Sequence, residues 1–279
     1  MATKQNNNAF LIISNARAGS TYLMTSLGAL PGVFTDYQLS WRTRLSPSPV
    51  EIVIPGPGYN CREFLEGLSA GSPVVGSKLT LTSVECPTVE DVNGLSACID
   101  PHIRILHLTR QYWEILKSAN ARGFQNLIEP GENRIDSESE VFKAIVESNP
   151  GFSTSLPLRR VEASLDVLRT MLVCYFVNDL VAIEIARKAE RSLHVFYSRI
   201  QEDFPAIVDC VGASCGEETW REIMDRPITK KLDKIPDSAI PYADQLKPMA
   251  DHFYRKTVEL IEQNLPVSAV WDGYRDLTL

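Results

Sequence analysis

The stretch Asn8-Ala9-Phe10-Leu11-Ile12-Ile13-Ser14-Asn15-Ala16-Arg17-Ala18-Gly19-Ser20-Thr21-Tyr22-Leu23 sets the frame for the rest of the chain. Phe10 to Ile13 is an apolar, partly β-branched run of strand length, the pattern of a buried strand in a parallel sheet. The residues then turn small and polar. Gly19 can adopt backbone angles closed to other residues, so the chain can turn tightly and approach a ligand. Ser20 and Thr21 are suited to cap a helix, and Tyr22 to Leu30 keeps an apolar stripe at helical spacing. The unit reads as strand, tight loop, helix. Amide N–H groups and the positive end of the helix dipole meet at that loop, where an anion is favoured. A nucleotide-triphosphatase P-loop needs Gly, four residues, then Gly-Lys-Ser/Thr. The lysine is missing here, and Arg17-Ala18-Gly19-Ser20-Thr21 stands in its place. On these residues alone, an ordinary strand-to-helix turn and a phosphate-binding loop both remain open.

Composition narrows the class. Apolar residues make up 44% and charged residues 23% of the chain, as in an ordinary globular protein. The net charge of −7 argues against non-specific nucleic-acid binding, which needs a basic surface. Met1 to Asn8 is polar and unlike a signal peptide, and no run has the length of a transmembrane helix. The six cysteines show no CxxC pair or metal-ligand spacing and read as free thiols in a reducing, cytoplasmic compartment.

Working outward, further strands are expected at Val33 to Thr35, Pro73 to Leu79, Ile103 to Thr109 and Leu193 to Tyr197. Helices are expected at Cys61 to Leu68, after Pro87, and over Tyr112 to Ala121, the last stopped by Gly123. Arg160 to Arg191 reads as a long amphipathic helix. Shorter helices are expected at Phe204 to Val211 and Glu217 to Met224, and a final one at Met249 to Asn264. Trp41 to Tyr59 and Lys230 to Pro248 read as loops, and Gly131 to Ser155 as a polar segment able to form a flap. Strands alternating with helices imply an α/β fold, a mostly parallel sheet covered on both faces, within a single domain over residues 1–279.

A second cluster lies on the strand and helix reading Ile105-Leu106-His107-Leu108-Thr109-Arg110-Gln111-Tyr112-Trp113-Glu114-Ile115-Leu116-Lys117-Ser118. Arg110 ends the strand and Ser118 lies two helical turns on. With Arg17-Ala18-Gly19-Ser20-Thr21, this order resembles the sulfotransferases that use 3′-phosphoadenosine 5′-phosphosulfate (PAPS). The loop is closer to the carbohydrate, tyrosyl and bacterial types than to the cytosolic type. The fold implied is a P-loop-like sulfotransferase fold. The resemblance implies that Arg17, Ala18, Gly19, Ser20, Thr21 and Tyr22 hold the 5′-phosphosulfate. It places Arg110 and Ser118 on the 3′-phosphate. Gln111-Tyr112 departs from the family's Asp-Pro, a pair that mainly shapes the turn. His194-Val195-Phe196-Tyr197-Ser198-Arg199-Ile200 is similar to a family strand that would bring Tyr197 near the adenine, although its acidic pair is absent here. Thr229-Lys230-Lys231 looks like a late basic loop that would bring Lys231 to the 3′-phosphate, or else an ordinary solvated surface.

The reaction implied is transfer of a sulfuryl group to a hydroxyl, with an amine second, of a small-molecule, carbohydrate or lipid acceptor. Adenosine 3′,5′-bisphosphate leaves and no metal takes part. Such transfer needs positioning and charge stabilisation at the bridging oxygen. Arg17 is the first candidate for that task. Lys78 is the second, with a solvated strand-end lysine as its alternative. An alcohol acceptor needs a general base. The resemblance implies a Glu beyond the loop arginine, as in relatives acting on sugars and tyrosines; gapless counting to that place lands on Gln38, and a short gap puts Asp36 there. His107 is a rival base, though a histidine inside a strand is more often a core residue. Loops at about 38–72 and 124–157 would shape the acceptor pocket, and a homodimer through the long helix is open. Two other readings remain: a nucleotide-binding protein that has lost transfer, and a nucleotide or small-molecule kinase.

Overall fold

The computed structural model describes residues 8–40, 51–53, 72–81, 99–120, 164–225 and 235–267. The predicted first strand is β1, Asn8–Asn15, buried along almost its whole length. It is followed by α1 (Ser20–Gly28), β2 (Val33–Ser40), β3 (Glu51–Val53), β4 (Val74–Leu81), β5 (Arg104–Thr109) and α2 (Tyr112–Asn120). Then come α3 (Leu165–Lys188), β6 (Ser192–Phe196), a 3-10 turn over Tyr197–Arg199, α4 (Ile200–Val211) and α5 (Glu217–Met224). A second 3-10 turn, Asp237–Ala239, precedes α6 (Ala243–Glu262).

The strands lie in the order β3-β2-β4-β1-β5-β6, and every neighbouring pair is parallel. The α/β expectation is therefore met. Side chains alternate across β1 and bury both faces. Phe10 and Ile12 share a core cluster with Leu23 and Leu27 of α1 and Phe204, Ile207 and Val211 of α4. Leu11 and Ile13 pack instead with Val181, Ala182, Ile185 and Ala186 of α3. Each of the Val, Leu, Ile and Phe side chains here contributes about 1.5–3 kcal/mol by leaving water.

On the first face, Phe10 lies across Gly76 of β4. A Cβ on Gly76 would sit 1.9 Å from Phe10 Cζ. Gly76→Ala is expected to destabilise the protein by about 1–3 kcal/mol through overpacking, read as a lowered urea midpoint. An unchanged midpoint would mean that the ring yields freely.

Three expectations are corrected. Trp41 to Tyr59 is not all loop, because Glu51–Val53 pairs with β2 and forms the sheet edge. The long helix is not amphipathic over its middle, where every residue from Met171 to Ile183 is buried. The sheet covers one side, and α6 covers another by stacking Phe253 on Phe176 at 5.3 Å between ring centroids. Arg187 near its end donates to the carbonyls of Leu260 (3.0 Å) and Leu265 (2.6 Å), tying down the C-terminus of α6. Finally, the last helix begins at Ala243, before Pro248 rather than after it. The ring forfeits one hydrogen bond, but the buried stripe Leu246, Ala250, Phe253, Thr257 and Leu260 runs on past it.

Cys174, Cys210 and Cys215 form no disulfide among the described residues. No helix among the described residues is long and apolar enough to cross a membrane. The expected helices at Cys61 to Leu68 and after Pro87, the Gly131 to Ser155 segment and most of both acceptor loops lie outside the described residues.

Candidate active site

The chain leaves β1 through α1 towards β2 and leaves β5 through α2 and α3 towards β6, in opposite directions along the sheet. Such a reversal opens a crevice at the carboxyl ends of the two central strands, where ligands of parallel sheets bind. Arg17 follows β1 and Arg110 follows β5, so the two arginines flank that crevice.

The loop after β1 is wound tightly. Arg17 has φ 69° and Gly19 φ 103°, both left-handed. Gly19, not Ser20 or Thr21, is the N-cap of α1, and no side chain caps the helix. The two hydroxyl residues instead form its first turn, because the left-handed glycine ends the loop one residue earlier. The N–H groups of a first helical turn have no intrahelical acceptor, so the loop retains donors for an anion.

Lys78 is not a solvated strand end. It is 8% exposed, and its Nζ donates to Thr21 Oγ1 at 2.7 Å. Its register partner on β1 is Ile12, which places it on the face of the sheet that α1 covers. Arg17 Nε donates to Ser118 Oγ at 3.3 Å, linking the loop to α2. Ser118 therefore meets Arg17, where Arg110 was the expected companion.

Arg110 is 9% exposed and has its guanidinium over the Tyr197 ring, 4.3 Å from the centroid. Its Nη2 lies 3.8 Å from Glu114 Oε2, one turn along α2. Tyr197 also closes on the loop: a Cβ on Gly19 would lie 2.3 Å from Tyr197 Cε2. Arg17, Gly19, Thr21, Lys78, Arg110, Ser118 and Tyr197 are thus joined by contacts at one end of the sheet. Ala18 and Ser20 are buried within the same loop. The Tyr22 side chain turns away, with its hydroxyl 3.5 Å from Met224 Sδ. Burial raises its pKa, so the phenol stays neutral, and because the hydroxyl faces Met224, Tyr22 can serve an anion at the loop only through its backbone.

Asp36 lies in a bulge of β2. Thr35 pairs with Gly76 and Gln38 with Lys78, so β2 carries one extra residue between them. A bulge bends a strand locally and increases its twist. Gln38 is the register partner of Lys78. Lys231 lies outside the described residues.

Beneath the loop is a buried polar cluster that the sequence reading missed. Asp179 of α3 is fully buried. Its Oδ1 accepts from Asn15 Nδ2 at 2.8 Å, and its Oδ2 accepts from Tyr112 OH at 3.0 Å and from Thr109 Oγ1. Asn178 Nδ2 donates to Asn15 Oδ1 at 3.0 Å, and Tyr112 OH meets Thr257 Oγ1 at 2.6 Å. The one signal in the sequence is the pair Asn178-Asp179 breaking an otherwise apolar run.

His107 is buried in this cluster rather than poised as a base. Its Nε2 is 3.4 Å from Asp179 Oδ1 and its Nδ1 is 3.0 Å from His194 Nδ1. Burial, then the neighbouring His107 and Arg187, push the His194 pKa down to about 3. The unfolded chain takes up this proton near pH 6.5 while the folded chain refuses it until about pH 3. His194 therefore leaves stability intact above pH 6.5 and erodes it on acidification, by at most about 1.4 kcal/mol per pH unit. His194→Gln is expected to flatten the fall of the urea midpoint between pH 6 and pH 4, and equal slopes for both proteins would refute that origin.

No protein-family model matches the chain, and no curated protein sequence matches it. Among solved structures it is similar to the crystal structure of mouse sulfotransferase SULT7A1 complexed with PAP. The identity is 12%, the match covers 97% of this chain and 90% of that one, and the TM-score is 0.44.

Proposed function

We propose that the protein is a PAPS-dependent sulfotransferase acting on a hydroxyl of a small-molecule, carbohydrate or lipid acceptor. The observation that carries this reading is the bond between Lys78 and Thr21. In a P-loop, the residue at the Thr21 position binds Mg²⁺ and the residue before it is the phosphate-binding lysine. Here Ser20 replaces that lysine, and an ammonium from the neighbouring strand sits on the hydroxyl. The loop is furnished with fixed cations, Arg17 and Lys78, in the manner that metal-free transfer of an anionic group requires.

In this reading the 5′-phosphosulfate lies on the N–H groups at the start of α1, with Arg17 and Lys78 beside the oxygen bridging phosphorus and sulfur. The acceptor oxygen attacks sulfur in line. The bond from sulfur to the bridging oxygen breaks, and the charge developing there is met by the two cations. Adenosine 3′,5′-bisphosphate leaves. Arg110 holds the 3′-phosphate, because a guanidinium offers paired donors and remains charged. Tyr197 lies against both Gly19 and Arg110 and offers a face to the adenine. Asp36 takes the acceptor proton, Lys231 closes on the 3′-phosphate, and a single cytoplasmic domain carries the whole site.

Thermal unfolding with added nucleotides tests this. At about a hundred times its dissociation constant, adenosine 3′,5′-bisphosphate should stabilise the fold by roughly 2.7 kcal/mol, and ATP with Mg²⁺ should give no comparable shift. The reverse pattern would replace this reading with a kinase.

A further inference from the structure

The backbone ladder between β1 and β5 has its last paired residues at Ser14 and Leu108. Beyond that rung come Asn15 and Thr109, and then the two segments that carry Arg17 and Arg110. A single carboxylate bridges the strands at this point. Asp179 Oδ1 holds Asn15 and its Oδ2 holds Thr109, the residue directly before Arg110. The second partner of Oδ2, Tyr112, lies two residues after Arg110, and His107 Nε2 of β5 lies 3.4 Å from Oδ1. Asn15 is gripped further by Asn178 and by the Tyr175 carbonyl at 2.9 Å, all from one stretch of α3.

We infer that Asp179 is a positioning residue that sets the separation of the Arg17 and Arg110 subsites, and so makes the site selective for a nucleotide phosphorylated at both its 5′ and 3′ positions. This rests on the nucleotide reading above. Burial alone explains why Asp179 has partners, since an unsatisfied buried carboxylate is costly. It does not explain why those partners are the two strand ends leading to the two arginines. A ligand that spans two subsites gains from the second contact only while their spacing matches its own. A ligand that uses one subsite is indifferent to that spacing.

The test is titration of wild type, Asp179→Asn and Thr109→Val with adenosine 3′,5′-bisphosphate, adenosine 5′-monophosphate and adenosine 3′-monophosphate. Thr109→Val removes only the β5 arm of the brace with an isosteric side chain, and it decides the matter if Asp179→Asn does not fold. The expected result is a loss of about tenfold or more in bisphosphate affinity, with both monophosphates within about twofold of wild type. Thr109→Ser, which keeps the hydroxyl, should restore bisphosphate binding. An equal loss for all three ligands, or wild-type bisphosphate affinity in folded Thr109→Val, would overturn the positioning role and leave the nucleotide site standing. A wild type that binds none of the three would overturn both.

Discussion

Arg110→Ala is expected to lose most of the stabilisation that adenosine 3′,5′-bisphosphate gives the wild type. Hydrogen bonds from a charged donor contribute about 1.5–3 kcal/mol each. Removing a guanidinium from a phosphate should therefore cost roughly 3 kcal/mol, about a hundredfold in dissociation constant. The free protein should suffer less. Arg110 gives up its stack on Tyr197 and its 3.8 Å approach to Glu114, contacts of about 0.5–2 and 0–1 kcal/mol respectively. Arg110→Lys keeps the charge but not the planar fork, and it should fall between the two. Calorimetric titration reads the affinities directly. Wild-type binding by folded Arg110→Ala would remove this residue from the site.

Gly19→Ala should be the most damaging single change in the loop. The backbone at Gly19, φ 103° and ψ 12°, is one that a residue with a Cβ adopts only under strain of about 1–3 kcal/mol. The added methyl would also lie 2.3 Å from the Tyr197 ring, itself held between the loop and Arg110. Overpacking of this kind adds about 1–3 kcal/mol, and the displaced ring would no longer lie against Arg110. A fall in stability on the order of 3 kcal/mol should accompany loss of bisphosphate binding. A double-mutant cycle separates the causes. In Gly19→Ala/Tyr197→Ala the clash is gone and the backbone strain remains, so part of the stability should return. If the second substitution restores nothing, the ring does not constrain the loop.

Much of the fold was legible because its signals are local. The run Phe10 to Ile13 had to be a strand buried on both faces, and the apolar stripe after it had to be a helix, although its cap is Gly19 and not the expected Ser20 or Thr21. Glu217–Met224 is where its amphipathic pattern put it. Signals that depend on an absent neighbour were misread. Glu51–Val53 is a short run closed in by Pro49 and Pro55, and it does not read as a strand until β2 offers it an edge. Pro248 looked like a helix boundary because the burial that carries α6 past it comes from α3 and the helix's own stripe. Arg160 to Arg191 looked amphipathic because its charged ends were averaged with a middle that α6 and the sheet enclose.

The sequence by itself determined the central strand, the tight glycine-bearing loop and helix after it, and the two arginines that follow β1 and β5. Those follow from residue types at fixed spacing. Only the tertiary structure decided what the cations do. Lys78, far along the chain from Thr21, reaches it because β4 lies beside β1 with Lys78 on the face that α1 covers. Ser118 serves Arg17 rather than Arg110 because α2 brings it back towards the loop. Asp179, lost in an apolar helix, becomes the brace between the two strand ends because α3 packs beneath them. Spacing along the chain carries no record of such meetings, since the sheet order that creates them joins strands distant in sequence.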